Sequence, residues 1–121
     1  MIIKHPQPLS SFDYIGQHHY LLTWCCDYRR CQFTHADRVN LVLQQFMRAL
    51  SELEFELITY CFMPDHVHQL IRGISLKSNG RRYIKLAKQY SGYQHAAKFK
   101  ERLWQRYGLS AYSGRTKQRR L

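Results

Sequence analysis

The chain has 121 residues and a mass of 14.6 kDa, the size of one domain built around a single apolar core. Hydrophobic residues make up 45% of it and charged residues 22%, which is the composition of a folded globular protein and excludes wholesale disorder. No apolar run reaches the roughly 20 residues that span a bilayer, and the N-terminus lacks the apolar stretch of a signal peptide. We therefore expect a cytoplasmic protein with no membrane partner.

The formal net charge of +11 indicates a polyanionic partner, with nucleic acid favoured over an anionic membrane. Residues 1–76 carry six basic and seven acidic side chains, whereas residues 77–121 carry 13 basic side chains and one acidic side chain. Aromatic residues alternate with these cations, a pattern typical of proteins that bind single-stranded nucleic acid. The alternative is a solvated basic surface whose aromatic rings lie in the core. The candidate nucleic-acid contacts are Lys77, Arg81, Arg82, Lys85, Lys88, Lys98, Lys100 and Arg102.

The four cysteines are expected to be buried free thiols, because cytoplasmic proteins are kept reduced. No Cys-x-x-C pair occurs in the sequence. A structural zinc site would have to combine Cys31 with a poorly spaced histidine, so the pattern does not favour one.

The first half of the chain predicts three strands and one helix. Residues 19–26 are apolar and aromatic, as in a buried strand, and a charged turn follows them. Thr34 begins an S/T-x-x-D/E helix start, and apolar residues continue at helical spacing to about residues 51–54. Residues 55–63 predict a strand that is apolar on both faces toward its end, and hence central. After a turn at Pro64-Asp65, residues 66–72 predict a strand that pairs antiparallel with it.

The second half predicts a helix from Arg81 to about Ala97 and a last strand around residues 103–107. The resulting order predicts an α+β fold: a ferredoxin-like split βαβ sandwich with an antiparallel sheet and two helices on one face. Without repeats or linkers, residues 1–108 should form a single domain. Residues 109–121 predict an irregular basic tail.

Two histidines on the third predicted strand are the sharpest candidate site. His66 and His68 are two residues apart, so they project from one face of the strand while Val67 projects from the other. Two imidazoles on one rigid face can chelate a divalent cation with positions left open, and such a cation polarises a phosphodiester. The alternative for any His-x-His pair is two partly exposed surface histidines.

The segment 60–68, Tyr-Cys-Phe-Met-Pro-Asp-His-Val-His, closely resembles the histidine–hydrophobe–histidine (HUH) motif of single-tyrosine transposases. The resemblance is to the insertion-sequence-200-like enzymes, particularly the REP-associated tyrosine transposases of bacteria, and it covers roughly residues 16–108. It implies a homodimer that binds DNA hairpins with adjacent single strands. It also implies cleavage by a tyrosine that becomes joined to the 5′ phosphate, followed by rejoining. By position, His66 and His68 are the implied metal ligands, with Mg²⁺ or Mn²⁺ as the expected ion.

The nucleophile of this family has no clear counterpart in the sequence. In the family it lies on a further C-terminal helix, beyond the segment that matches residues 103–105, and we expect the tail 109–121 to be too short and too irregular for that helix. Tyr112 is the only tyrosine of the tail, but its Ser/Gly flanks offer no rigid platform. One hypothesis is a frameshifted end. With one allowed choice of codons, a single inserted base yields Gly-Phe-Glu-Arg-Val-Leu-Arg, similar to the family's sequence.

Three functions remain open from the sequence. The first is a transposase that binds DNA and, if complete, nicks and rejoins it. The second is a remnant of the same core that binds DNA without cutting it. The third is an unrelated RNA-binding split-βαβ module, which is disfavoured because residues 55–63 lack the aromatic signature of such modules.

Overall fold

The computed structural model describes residues 14–113, which form one four-stranded sheet and two helices. All strand pairs are antiparallel, in the order β2-β3-β1-β4, and the two helices pack together against one face of the sheet. This arrangement confirms the predicted α+β sandwich. The elements are β1 (His19–Cys26), α1 (Ala36–Glu52), β2 (Phe55–Met63), β3 (His66–Gly73), α2 (Gly80–Phe99) and β4 (Trp104–Ser113).

Alternate residues of the central strands β1 and β3 line the core. Successive side chains of a strand point to opposite faces, so one set is buried beneath the helices and the other lies on the helix-free face. Thr23, His66 and His68 belong to the second set. The buried set joins residues of both helices in one apolar cluster that includes Tyr20, Leu22, Trp24, Val67, Ile71, Val42, Phe46, Tyr83 and Ala87.

One polar side chain, Gln69, is buried within this cluster. Its Oε1 accepts hydrogen bonds from Trp24 Nε1, at 2.9 Å, and from the Tyr83 hydroxyl, at 3.0 Å. Burial raises the pKa of Tyr83, which therefore stays protonated as a donor. These bonds tie β3 to both β1 and α2, beside the histidines.

The start of α2 is fixed by two small residues. Asn79 is the N-cap, and its side chain accepts a hydrogen bond from Arg82 N at 3.1 Å. Gly80 lies directly against the ring of Tyr20, where an added Cβ would come within 2.6 Å of a ring carbon. A glycine at position 80 therefore lets the helix approach β1 closely.

Two predictions about strands are wrong. The strand expected to be central, β2, is an edge strand, and its residues Ile58 and Tyr60 are 46% and 47% exposed. A bulge between Leu57 and Thr59 interrupts the alternation that would have shown one buried face. The tail expected to be irregular from residue 109 continues β4 as far as Ser113, since Leu109 and Ala111 pack against the core. Residues 114–121 lie outside the described residues.

Two smaller predictions are also corrected. Thr34 does not cap α1, because its hydroxyl donates to Cys31 O at 3.0 Å and the N-cap is His35. The four cysteines are free, but only Cys26 is buried. Within residues 14–113, no helix is both long enough and apolar enough to cross a membrane.

Candidate functional site: a histidine pair and a basic surface

The histidine pair lies at the start of β3, on the helix-free face of the sheet. In the antiparallel register, His66 is opposite Cys25 and His68 is opposite Thr23. The two ring centroids are 4.8 Å apart, and the rings are nearly perpendicular to each other. Both side chains are half-buried. The shared face predicted from the two-residue spacing is therefore observed.

Each imidazole is held through its Nδ1 atom. His66 Nδ1 lies 2.8 Å from Asp65 Oδ1, and His68 Nδ1 lies 2.9 Å from Thr23 Oγ1. Neither Nε2 atom has a hydrogen-bond partner among residues 14–113. An ionised carboxylate can only accept, so Asp65 places the proton of His66 on Nδ1 and the lone pair on Nε2, as in metal-binding histidines. The Thr23 hydroxyl can donate or accept, so it holds the orientation of the His68 ring but not its tautomer. Both Nε2 atoms are therefore available to a ligand on the helix-free face.

The carboxylate beside His66 is itself anchored. Arg29 Nε donates to Asp65 Oδ2 at 2.9 Å. The hydrogen bonds from His66 and Arg29 lower the pKa of Asp65, so the carboxylate is ionised near neutral pH. Burial and the neighbouring His66 lower the pKa of His68, which favours the neutral imidazole that metal binding requires.

The turn that precedes β3 is fixed by backbone contacts with the last residue of β1 and with the segment that follows it. Cys26 N donates to Asp65 O, and Phe33 N donates to Pro64 O, each at 3.0 Å. The Phe33 ring also packs edge-on against Phe62. Since the turn is held from both sides, the orientation of Asp65 is set by the fold.

The donor set fits a divalent cation with open coordination positions. Within the described part of the chain, no group of three or more His, Cys, Asp or Glu side chains is arranged to hold a metal ion. Two imidazoles would therefore be the protein's contribution, and oxygen atoms of water or of a phosphate would complete the shell.

Tyr112 lies on β4, opposite Leu21, and is half-buried on the same face as the histidines. Leu21 is in turn opposite Leu70, two residues beyond His68 on β3. Tyr112 is thus two strands away from His68 and two residues further along. With ordinary sheet spacings, their Cα atoms are about 12 Å apart. The expectation that Tyr112 lies in an irregular segment is wrong. The structure brings it to the same face as the pair but into a neighbouring row.

The eight candidate nucleic-acid contacts follow α2 and its two ends. Lys77 precedes the helix, five of the residues lie on it, and Lys100 and Arg102 follow it. Lys88, Lys100 and Arg102 line a surface cavity of about 580 Å³ between α2 and β4, with Trp104 among the other lining residues. Lys98 does not line this cavity. All eight are exposed except Lys88, which is half-buried.

Arg106 lies beside Lys88 and is a further cation of this surface, which the sequence did not indicate. Lys88 Nζ donates to Arg106 O at 3.0 Å, and burial together with Arg102 and Arg106 lowers the pKa of Lys88. Arg106 belongs to β4, so its position beside the α2 cations depends on a strand boundary that the sequence did not define.

The part of the chain before residue 77 and the part after it differ in how many of their cations form ion pairs. In the part of the chain before residue 77, four arginines pair with carboxylates: Arg29, Arg38, Arg48 and Arg72. None of the nine Lys and Arg side chains between residues 77 and 113 forms an ion pair with another described residue. The surface of these nine residues, here called the basic surface, therefore carries uncompensated positive charge that favours an anionic partner.

The groups that orient the histidines, Asp65, Thr23 and Arg29, were not identified from the sequence. Asp65 is adjacent to His66 in the sequence and could have been found there. Thr23 and Arg29 lie more than 35 residues before the histidines, and only the pairing of β1 with β3 brings them close.

Comparison with known proteins identifies the family of the chain. The family model described as transposase IS200 like matches residues 14–119. The chain therefore belongs to the IS200-like transposase family, a family of DNA transposition. The match extends into the segment that was expected to differ from the family. No curated protein is significantly similar to the chain in sequence.

Two solved structures share the fold. A REP-associated tyrosine transposase bound to a REP hairpin superposes with a TM-score of 0.67 at 15% identity, covering 83% of this chain and 58% of that one. A candidate transposase from Deinococcus radiodurans R1 superposes with a TM-score of 0.68 at 20% identity, covering 87% of each chain. The chain thus spans little more than half the length of the first of these proteins.

Proposed function

We propose that this protein binds DNA through the basic surface and holds one phosphodiester of that DNA at His66 and His68. The observation that carries the proposal is the pair of adjacent imidazoles whose Nδ1 atoms are anchored and whose Nε2 atoms are available. The family membership supports DNA as the polyanion, because these proteins act in transposition.

The proposed substrate is hairpin DNA with an adjacent single strand. A structurally similar transposase is bound to a REP hairpin, which supports this substrate class. The first turn of α2 contains Arg81 and Arg82 and no acidic residue, although acidic residues are the ones that stabilise a helix N-terminus. Cations at that end add to the positive end of the helix dipole, so they favour binding of phosphates over helix stability.

The proposed cofactor is Mg²⁺ or Mn²⁺, held by His66 Nε2 and His68 Nε2. When bound, the cation supplies Lewis-acid polarisation of a phosphodiester oxygen. Asp65 keeps the His66 ring in the required tautomer, Thr23 keeps the His68 ring in its orientation, and Arg29 keeps Asp65 in place. The half-buried setting of the rings limits their hydration without closing the face to a DNA strand.

The reaction proposed for a site of this family that has its tyrosine is cleavage and rejoining of a DNA strand through a phosphotyrosine. For this chain, we propose that no tyrosine acts as an effective nucleophile. Tyr112 is the candidate tyrosine. Its position on β4 is fixed by pairing with β1, two strands away from the histidine pair, which argues against its attack on a phosphodiester held there. The protein would then bind DNA without cutting it. Incubation with a 3′-labelled hairpin and Mn²⁺ is expected to yield bound, intact DNA, because the fragment that a tyrosine would retain carries the 3′ end. A covalent adduct that disappears in Tyr112→Phe would contradict this expectation.

DNA binding is tested by the salt dependence of hairpin affinity, measured by fluorescence anisotropy. The side chains of Lys85 and Lys100 make no hydrogen bond or ion pair with another described residue, so their replacement by Gln should remove phosphate contacts without disturbing the fold. Each lost contact lowers the log–log salt slope by about 0.9. A matched control, Arg48→Gln with Arg72→Gln, removes the same charge from arginines that already pair with Glu52 and Glu56. Equal slopes in the two double variants would show that the DNA lies elsewhere.

The RNA-binding alternative lacks the surface that such modules use. RNA-binding modules of this architecture stack bases on aromatic residues of the central strands. On the described helix-free face of β1 and β3, the side chains include Leu21, Thr23, His66, His68 and Leu70, with no Phe, Tyr or Trp. Competition of a DNA hairpin with the same sequence in RNA distinguishes the two functions.

We also propose a homodimer. Exposed apolar side chains surround the edge strand β2 and support a second copy as the partner, among them Met47, Ile58, Tyr60 and Ile74. Light scattering at several protein concentrations tests this, and a monomer throughout would contradict it.

A further inference from the structure

The segment that follows β1 presents an aromatic ring that the fold does not use. Tyr28 is 80% exposed, and the guanidinium of Arg30 lies 5.3 Å from the centre of its ring. Tyr14, Tyr20 and Tyr83 are buried in the core, by contrast. A tyrosine that contributes this little burial, with a cation against its ring, has the composition of a base-stacking site.

The backbone that presents this ring has an unfavourable conformation. Tyr28 and Arg29 have φ values of 54° and 50°, in the left-handed region that side chains other than glycine rarely adopt. Two consecutive residues in this region persist only where surrounding contacts fix them. Here the Arg29 side chain is bound to Asp65, and Arg30 N donates to Asp27 O at 3.2 Å.

The position of the segment connects the two parts of the proposed DNA site. On one side, Asp27 N donates to Leu103 O at 2.8 Å, and Leu103 lines the cavity of the basic surface. On the other side, Arg29 is bound to Asp65, the partner of His66. The segment therefore lies between the cavity of the basic surface and the histidine pair.

We propose that Tyr28 and Arg30 form a stacking platform for one unpaired base of the DNA strand whose phosphodiester lies at the histidine pair. The inference rests on the proposed DNA binding. One face of the phenol ring stacks on the base, while the guanidinium supports the ring and attracts the adjacent phosphate. Stacking is tolerant of sequence, since every base has a π face. The platform therefore selects an unpaired base rather than a particular base.

The test uses a DNA hairpin whose single-stranded flank carries 2-aminopurine at one position at a time, because stacking on an aromatic ring quenches this fluorescent base. Tyr28→Asn removes the ring and keeps a residue that accepts the left-handed backbone. We expect wild-type protein to quench one flank position and Tyr28→Asn to abolish that quenching. Affinity for the flanked hairpin should fall by about 5- to 150-fold, the range for one stacked base. Tyr28→Phe should retain both properties.

The matched control is Tyr93→Ala, which removes another exposed tyrosine, 69% exposed, from α2. It should leave the quenched position unchanged. Affinity for a hairpin without a flank should be equal in wild type and Tyr28→Asn, which also verifies that the variant is folded. If wild type binds the flanked hairpin but Tyr28→Asn binds and quenches equally, the platform does not exist. If wild type binds no DNA, the proposed function itself fails, and a protein partner for Tyr28 becomes the alternative.

Discussion

Replacement of Gln69 by Leu tests whether the hydrogen bonds behind the histidine strand stabilise the fold as the geometry implies. Gln69 Oε1 accepts from both Trp24 Nε1 and the Tyr83 hydroxyl, so a leucine leaves two buried donors without a partner. The Gln69 Nε2 atom has no partner among the described residues, so the same substitution removes one unpaired donor.

The magnitude follows from this count. Each unpaired buried polar group costs about 1–3 kcal/mol. Two are created and one is removed, so the net loss in the free energy of unfolding should be about 1–3 kcal/mol. The double variant Gln69→Leu with Tyr83→Phe creates one unpaired donor, at Trp24, and removes one, at Gln69. Its polar terms therefore nearly cancel, and the double variant should be more stable than Gln69→Leu alone.

Urea denaturation followed by circular dichroism measures these differences. Gln89→Leu is the control, because Gln89 is exposed on α2 and surface substitutions usually change stability by less than about 0.5 kcal/mol. A double variant less stable than the single variant would refute the reasoning, because the unpaired Tyr83 hydroxyl would then not be the source of the loss.

Three further predictions concern the histidine site and the start of α2. His66→Ala and His68→Ala should each abolish Mn²⁺ binding in isothermal titration calorimetry while circular dichroism stays unchanged; retained affinity in both would exclude the metal site. Asp65→Asn should weaken Mn²⁺ binding by about 10- to 100-fold, because groups that orient metal-binding histidines have effects of that size; an unchanged affinity would mean that the fold alone orients His66. Gly80→Ala should lower the melting temperature, because its Cβ would clash with the Tyr20 ring, and unchanged melting would show that the ring moves freely.

The sequence predicted the fold well because its strongest patterns are local. The alternation around His66 and His68, the turn at Pro64-Asp65 and the helical spacing in α1 each involve residues a few positions apart. The strand order could not be derived in the same way. An apolar strand such as β2 is compatible with a central or an edge position, and the bulge after Leu57 removed the alternation that distinguishes them.

The candidate site was predictable only in part for the same reason. The ligand pair follows from a two-residue spacing, but the contacts of Thr23 and Arg29 with it arise from strand pairing across more than 35 residues. The strand position of Tyr112 depends on pairing with β1, which the polar composition of the tail concealed. The frameshift hypothesis stays a prediction, and the nucleotides that follow codon 108 test it.

Part of the basic surface lies at the same end of the sheet as the histidine pair. Cys26 pairs with Trp104, so the cavity beside Trp104 and the histidines of β3 lie at the same end, on opposite faces. The segment after β1 connects these faces through Asp27 and Arg29. Because the basic surface belongs to α2, the segments that flank it and β4, whereas the histidines belong to β3, substitutions on one should spare the other. DNA affinity and metal affinity should then be separable by mutation, and only the segment between them should affect how a bound strand is aligned with the histidines.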